Sequence, residues 1–274
     1  MNHMTATLGA MEPPHIAVEN LSVSYAGVVA LSNASLRLSQ GVICGLVGMN
    51  GAGKSTLFKA LMGFVRPATG TIRINGQSVV QAQRRQSVAY VPQSESVDWD
   101  FPLNVADLVM MGRYGSMGPL RNPRRRDHEA VRHSLELVEL WDLRRRQIGQ
   151  LSGGQRKRAF LARALAQGAS VLLLDEPFNG VDARTEKLMA QLFMAFRRER
   201  RTLLISTHDM DHVTGFCDQV VLINKTILAY GQTSEVFTQE NLARAFGCLV
   251  LDQPKEIPGP QRGPMATDPR EGWR

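Results

Sequence analysis

The chain has 274 residues, 43% of them hydrophobic and 21% charged, with a net charge of +7. At ~150 residues per domain this allows one large or two small domains, and the composition excludes a collagen, a disordered polyelectrolyte and a disulfide knot. No apolar run approaches the ~18 residues that cross a bilayer, and Met1 to Pro14 carries neither lysine nor arginine nor an apolar core. A secretory signal is therefore not expected, and a cytoplasmic location is. Cys44, Cys217 and Cys248 are far apart in the sequence, which fits buried reduced thiols better than a disulfide framework or a CxxC pair. The basic balance would suit nucleic acid or an anionic membrane surface, and charge alone does not choose between them.

Along the chain, Ile16 to Tyr25 and Val28 to Leu38 alternate apolar and polar residues around Ala26-Gly27, predicting an antiparallel pair. Val42 to Val47 is a nearly continuous apolar strand, and a glycine-rich turn leads from it into a helix over Lys54 to Met62 that ends at Gly63. From Asn104 to Gln150 the pattern turns helical, with Asn104 and Asp127 as expected N-caps and Val131, Leu135, Val138 and Trp141 at helical spacing. This stretch reads as a helical insert. Its arginines outnumber its acids and include Arg124-Arg125-Arg126 and Arg144-Arg145-Arg146, most of which are expected on a solvated face. Strands return at Val171 to Leu174, Thr202 to Ser206, Gln219 to Ile223 and Thr226 to Tyr230, separated by helices such as Ala183 to Glu199. Alternation of this kind argues for an α/β fold. Residues beyond Leu251 are rich in proline and glycine, and a disordered tail is expected there. No internal repeat is present.

Three clusters carry chemistry. Gly48-Met49-Asn50-Gly51-Ala52-Gly53-Lys54-Ser55 matches GxxxxGK[ST] between a strand and a helix, the context a phosphate-binding loop requires. Its backbone N–H groups and helix N-terminus would face phosphate oxygens, Lys54 would neutralise the β and γ phosphates, and the Ser55 hydroxyl would reach Mg²⁺. Val171-Leu172-Leu173-Leu174-Asp175-Glu176-Pro177 delivers two carboxylates to the C-terminal end of an apolar strand, where α/β folds hold ligands. Asp175 would face the Mg²⁺ shell, and Glu176 would polarise the attacking water as a general base. Leu151-Ser152-Gly153-Gly154-Gln155 opens a helix with Ser152 as cap and two glycines that expose backbone N–H groups, a second anion site. One chain has no evident use for two such cradles unless the second serves a nucleotide held by another subunit. His208-Asp209-Met210-Asp211-His212 spaces two histidines as a zinc protease does, but Asp209 stands where the required Glu would be. His212 is expected to be a surface or packing residue.

With these motifs in this order, the chain resembles the ATP-binding subunits of ABC transporters from about Ile16 to Leu251. The resemblance implies an α/β fold: a P-loop NTPase (RecA-like) core, an N-terminal antiparallel β subdomain and an inserted helical subdomain at about 95–160. A single ATPase domain over 15–251 would lie between a flexible 1–14 and the Pro-rich tail at 252–274. It further implies that Tyr25 stacks on adenine and that Gly48 to Thr56 forms the Walker A loop, with Gly48, Asn50, Gly51, Ala52, Gly53, Lys54, Ser55 and Thr56 around ATP. Gln93 would be the Q-loop glutamine, near Mg²⁺ and water. Ser152, Gly153, Gly154 and Gln155 would be the signature, Asp175 and Glu176 the Walker B pair, Asp182 the D-loop aspartate and His208 the switch histidine. Asn179-Gly180-Val181-Asp182 departs from the common Ser-Ala-Leu-Asp but keeps Asp182. Val97 to Pro102, Met111 to Gly115, Arg145 to Gly149 and Phe178 to Asp182 resemble the manganese, zinc and iron uptake subfamily, with the manganese/iron(II) members most similar. Trp99, Phe101 and Pro102 would form an apolar plug against the permease. The implied protein is a bacterial importer ATPase working as two copies with ATP and Mg²⁺ on the cytoplasmic face of the inner membrane. It would sit beneath an integral membrane permease, served by an extracytoplasmic metal-binding protein. A soluble ABC ATPase acting on nucleic acid or the ribosome is the alternative. The short interval from Gln93 to Leu151 and the lack of a second cassette argue against nucleic acid as a partner.

Overall fold

The computed structural model describes residues 14–93, 98–99 and 101–247. Cys248, residues 1–13 of the expected flexible N-terminus and the Pro-rich tail lie outside the described residues, as do Val97 and Asp100 of the segment that resembles the uptake subfamily. The first structural unit is an antiparallel sheet of β1 (Ile16–Tyr25), β2 (Val28–Leu38), β4 (Thr69–Ile74) and β5 (Gln77–Ser78) in the order β2-β1-β4-β5. The expected pair forms one side of it, with β2 at the edge, joined at Tyr25↔Val28 by the turn through Ala26 and Gly27. Its other two strands lie far along the chain, past the glycine-rich turn, and no local pattern announced that pairing.

The second sheet is built on β3 (Ile43–Val47), β6 (Val88–Val91), β7 (Val171–Asp175), β8 (Thr202–Thr207), β9 (Gln219–Ile223) and β10 (Ile227–Gln232), ordered β10-β9-β3-β8-β7-β6. All neighbouring pairs are parallel except β9 with β10. The apolar runs of β3 and β7 are explained by burial on both faces. Leu172 and Leu174 enter one core, and Val171 and Leu173 the other. One core packs α5 (Gly153–Gln167) and α6 (Ala183–Arg198), and the other packs the antiparallel sheet, α1 (Lys54–Leu61) and α2 (Val79–Arg84).

Between β6 and β7 stands the helical insert: α3 (Val105–Met110), a 3-10 turn over Met111–Ser116, α4 (Arg125–Leu137) and α5. Asn104 caps α3 as expected, its side chain accepting from the Asp107 N–H. Asp127 is not an N-cap. Arg124 takes that position, and Asp127, two residues inside the helix, is buried, accepting from the Arg124 N–H at 3.0 Å and from Arg113 Nε at 3.1 Å. Arg113 also donates to the Ala166 carbonyl, so this half-buried arginine is a tie within the insert rather than part of a solvated face. Trp141 does not continue α4. The helix gives way at Val138, Glu139 turns with φ 54°, and Trp141 opens a separate 3-10 turn between the guanidinium groups of Arg132 and Arg144. Trp99 of the expected plug is half-buried, lying edge-on to Phe160 at 5.7 Å and under Arg156. Phe101 remains exposed.

Candidate functional site

The parallel strands β3, β7 and β6 end on one side of the sheet, and the residues at and just beyond their ends converge on one cavity, as the carboxyl edge of an open parallel sheet requires. The cavity is lined by Ala30, Met49, Asn50, Gly51, Gly53, Lys54, Ser55, Thr56, Gln93, Asp175 and Glu176. Gly53 could not be another residue: its φ is 102°, and a Cβ would stand 2.6 Å from Leu31 Cδ2. Ala52 is buried behind the loop, its carbonyl tied to the Lys225 N–H. Gly48 contributes a backbone carbonyl rather than a wall, accepting from Lys54 Nζ at 2.6 Å, and Met49 O accepts from the same ammonium at 3.1 Å. Burial pushes the Lys54 pKa down, opposed by the charges of Glu176 and Asp175. Tyr25 lies outside this lining, exposed at the end of β1.

Asp175 is buried at the end of β7 and held from β8, β6 and the first turn of α1. Its Oδ1 accepts from Ser206 Oγ at 2.5 Å, and its Oδ2 from Tyr90 at 3.1 Å and from Ser55 at 3.4 Å. Burial, reinforced by Asp175, pushes the Tyr90 phenol well above its ordinary value, keeping it a neutral donor. Glu176 has a left-handed backbone, φ 47°, rare for a residue with a side chain. Its N–H donates to Ser206 Oγ at 2.9 Å, and Lys157 donates to its carbonyl. The carboxylate is met by Gln93 at 3.2 Å and Asn179 at 3.1 Å, with His208 Nδ1 3.5 Å away on the exposed side. A strained backbone fixed from all sides aims this carboxylate into the cavity mouth.

The two histidines diverge. His208 faces Glu176, whereas His212 is stacked on Phe178 with ring centroids 4.5 Å apart. His212 Nε2 lies 2.9 Å from Glu186 and its Nδ1 3.2 Å from Asp209. They share no ligand position, so the protease spacing has no geometric counterpart. His212 packs as expected, yet it also joins the loop after Glu176 to the loop that carries His208.

Ser152, Gln155 and Asp182 line a separate cavity with Glu139, Arg158, Arg184, Thr185 and Leu188. Ser152 caps α5 in a reciprocal box with Gln155, while Asp182 caps α6. The Thr185 N–H holds the Asp182 carboxyl below the usual range. Gly153 and Gly154 occupy the first turn of α5, and a Cβ on Gly154 would come 3.5 Å from Asp182. Within one chain the cavity of the phosphate-loop motif and that of Ser152 and Asp182 are thus separate.

Sequence reasoning missed Tyr90, Ser206, Lys157 and Asn179. The first two enter through strand order alone, since β7 pairs Asp175 with Ser206 and Leu173 with Tyr90. No spacing in the sequence encodes those neighbours. Cys44 and Cys217 are buried free thiols as expected, and burial with the Asp218 charge lifts the Cys217 pKa to about 12.

The chain matches the ABC transporter family over residues 31–179. It is 55% identical to the manganese transport system ATP-binding protein MntA of Synechocystis, covering 90% of this chain and 95% of that protein. It is 52% identical to the chelated iron transport system protein YfeB of Yersinia pestis, covering 86% and 80% respectively. It is 43% identical to the zinc transport system ATP-binding protein TroB of Treponema pallidum, covering 85% and 86%. Among solved structures, an inward-facing metal-chelate type ABC transporter superposes with a TM-score of 0.74 at 30% identity, over 85% of this chain and 89% of that one. A nucleotide-free ATP-binding cassette at 22% identity shares the fold, with a TM-score of 0.72 over 85% and 94% of the two chains. With the phosphate loop, the buried aspartate and the adjacent glutamate meeting at one cavity, the chain belongs to the ABC transporter family as an ATP-hydrolysing, ATP-binding subunit.

Proposed function

We propose that this subunit drives import of a divalent transition metal, manganese first and ferrous iron next, with zinc the alternative cargo. The relatives named for manganese, chelated iron and zinc transport support the cargo class, and the manganese relative is 55% identical. The observation that carries the chemistry is the convergence of Lys54, Ser55, Gln93, Asp175 and Glu176 on one cavity.

In this reading the loop from Gly48 to Thr56 wraps the triphosphate with backbone N–H groups. Lys54, now folded onto two loop carbonyls, turns toward the β and γ phosphates when they arrive. Tyr25 offers its exposed ring to the base. Ser55, Asp175 and Gln93 supply the hard oxygen donors that Mg²⁺ prefers. When bound, the ion screens the phosphate charge. Glu176 takes a proton from water near the γ-phosphate, Gln93 and Asn179 orient its carboxylate, and His208 reaches the same space from the end of β8. Ser152, Gly153, Gly154, Gln155 and Asp182 would act on a nucleotide held by a second copy, because their cavity is distinct from the phosphate loop's. Closing two copies around ATP would then pull on a membrane permease, with a separate metal-binding protein feeding it from the other side. No helix among the described residues is long and apolar enough to span a bilayer, so such a permease would be the membrane anchor at the cytoplasmic face.

An apolar face fits that permease. Phe64, Val80, Phe101, Met111 and Tyr114 are large and exposed. Phe64 lies edge-on to Tyr90 of β6, and Gly115 of the insert abuts Gln86 just before β6, so core and helical insert meet beside that strand. The test is radiolabelled uptake in a strain lacking the gene, with competing metals. Loss of high-affinity manganese or iron(II) uptake is expected. Unchanged uptake of manganese, iron and zinc would overturn the cargo and leave the ATPase chemistry standing.

A further inference from the structure

The turn between the 3-10 segment ending at Ser116 and α4 carries Leu120, Arg121, Arg124, Arg125 and Arg126, with no acid from Gly115 to Arg126. Leu120 is 84% exposed, the most exposed large apolar side chain among the described residues. The Arg121 N–H donates to the Gly118 carbonyl, closing the turn, and its guanidinium lies 5.4 Å from the centre of the Tyr114 ring.

Two features make this cluster costly to the chain itself. Arg124, Arg125 and Arg126 occupy the cap and first two positions of α4, the end where the helix dipole repels cations. Asp127, the acid in that turn, is buried and engaged with Arg113, so it does little for the surface. Arg125 meets Glu129 on its own helix, but both side chains are open to water, 93% and 61% exposed, where such a pair contributes little. The cluster therefore remains positive and solvated.

Its position supplies the partner. Through Arg121 the turn touches Tyr114, one of the exposed apolar side chains of the helical insert that the proposed function assigns to the permease contact. Whatever borders a permease at that level is lipid headgroup. We propose that the Leu120–Arg126 turn binds the anionic headgroups of the bilayer next to the permease, with the arginines on phosphate groups and Leu120 dipping toward the acyl boundary. The placement rests on the permease reading; the binding itself does not. Electrostatic attraction adds up arginine by arginine at an anionic surface and fades within a Debye length. It would hold the subunit at the membrane and restrict its orientation while the ATP sites open and close.

The experiment is flotation of the purified full chain with phosphatidylcholine vesicles, with or without about 30 mol% phosphatidylglycerol, at low and at physiological salt. Binding is expected only with the anionic lipid, weakening as salt rises. Replacing one arginine, as in R124Q, should lower the partition coefficient about fivefold. R121Q/R124Q/R125Q/R126Q should abolish binding while ATPase activity stays at the wild-type level, and Leu120→Ser should weaken binding without changing its salt slope. Binding that ignores phosphatidylglycerol, or that survives in the quadruple variant, would overturn the proposal. So would arginine-dependent binding of single-stranded RNA with none to vesicles. Capture of the subunit by detergent-solubilised permease, measured with Phe64→Ala and Phe101→Ala, tests the permease face separately. Vesicle binding without capture would retire that reading alone.

Discussion

Ser206 sits at the centre of the catalytic edge although no motif contains it. Its hydroxyl donates to Asp175 Oδ1 at 2.5 Å and accepts from the Glu176 N–H at 2.9 Å, and the residue is fully buried. In Ser206→Ala, Asp175 keeps Tyr90 and Ser55 on its other oxygen and loses the donor on Oδ1. A hydrogen bond to a charged group contributes about 1.5–3 kcal/mol. The Glu176 N–H is partly compensated, because it also reaches the Ser206 carbonyl at 3.2 Å, which the substitution leaves in place. A net loss of about 2–3 kcal/mol follows, roughly 5–10 °C in melting temperature for a domain of this size. Activity should suffer as well, because Glu176 keeps its left-handed backbone only while its surroundings hold it. The assay is denaturant unfolding of Ser206→Ala beside steady-state ATP hydrolysis. kcat should fall at least tenfold with KM for ATP little changed, because Ser206 does not line the phosphate cavity. A variant with wild-type melting temperature and kcat within twofold would refute the network.

Glu176→Gln keeps size and hydrogen bonding but not basicity, so kcat should fall about 10²-fold or more while ATP-dependent dimers accumulate in light scattering; no dimer would count against a two-copy arrangement. Lys54→Ala should weaken ATP binding by titration calorimetry without unfolding the chain, and unchanged affinity would sink the phosphate-loop assignment. His212→Ala removes the bridge between Glu186 and Asp209 and the stack on Phe178, so kcat should fall several-fold at constant ATP affinity, with His212→Phe restoring stability but not rate. His15 is buried against Thr202 at 2.6 Å, and burial lowers its pKa from the ordinary 6.5. The unfolded chain therefore takes up the proton first as pH falls, so stability is full above about 6.5 and declines below it. Melting curves between about pH 7.5 and 5.5 should show a steeper decline for wild type than for His15→Gln.

Local signals in the sequence determined a good deal: the strand-turn-helix around Gly48 to Ser55, the apolar strand ending in Asp175 and Glu176, and the caps Asn104 and Ser152. Each depends on residues a few positions apart, so each is complete within its own stretch of chain. The tertiary structure alone decided which strands lie side by side. The order β3-β8-β7 brings Ser206 to Asp175 across 31 residues. It also decided that Asp127 is buried and paired with a half-buried Arg113 while Arg124 to Arg126 stay exposed. A run of basic residues reads alike whether it faces a core or solvent. Burial depends on which other elements arrive, and sequence spacing holds no record of them.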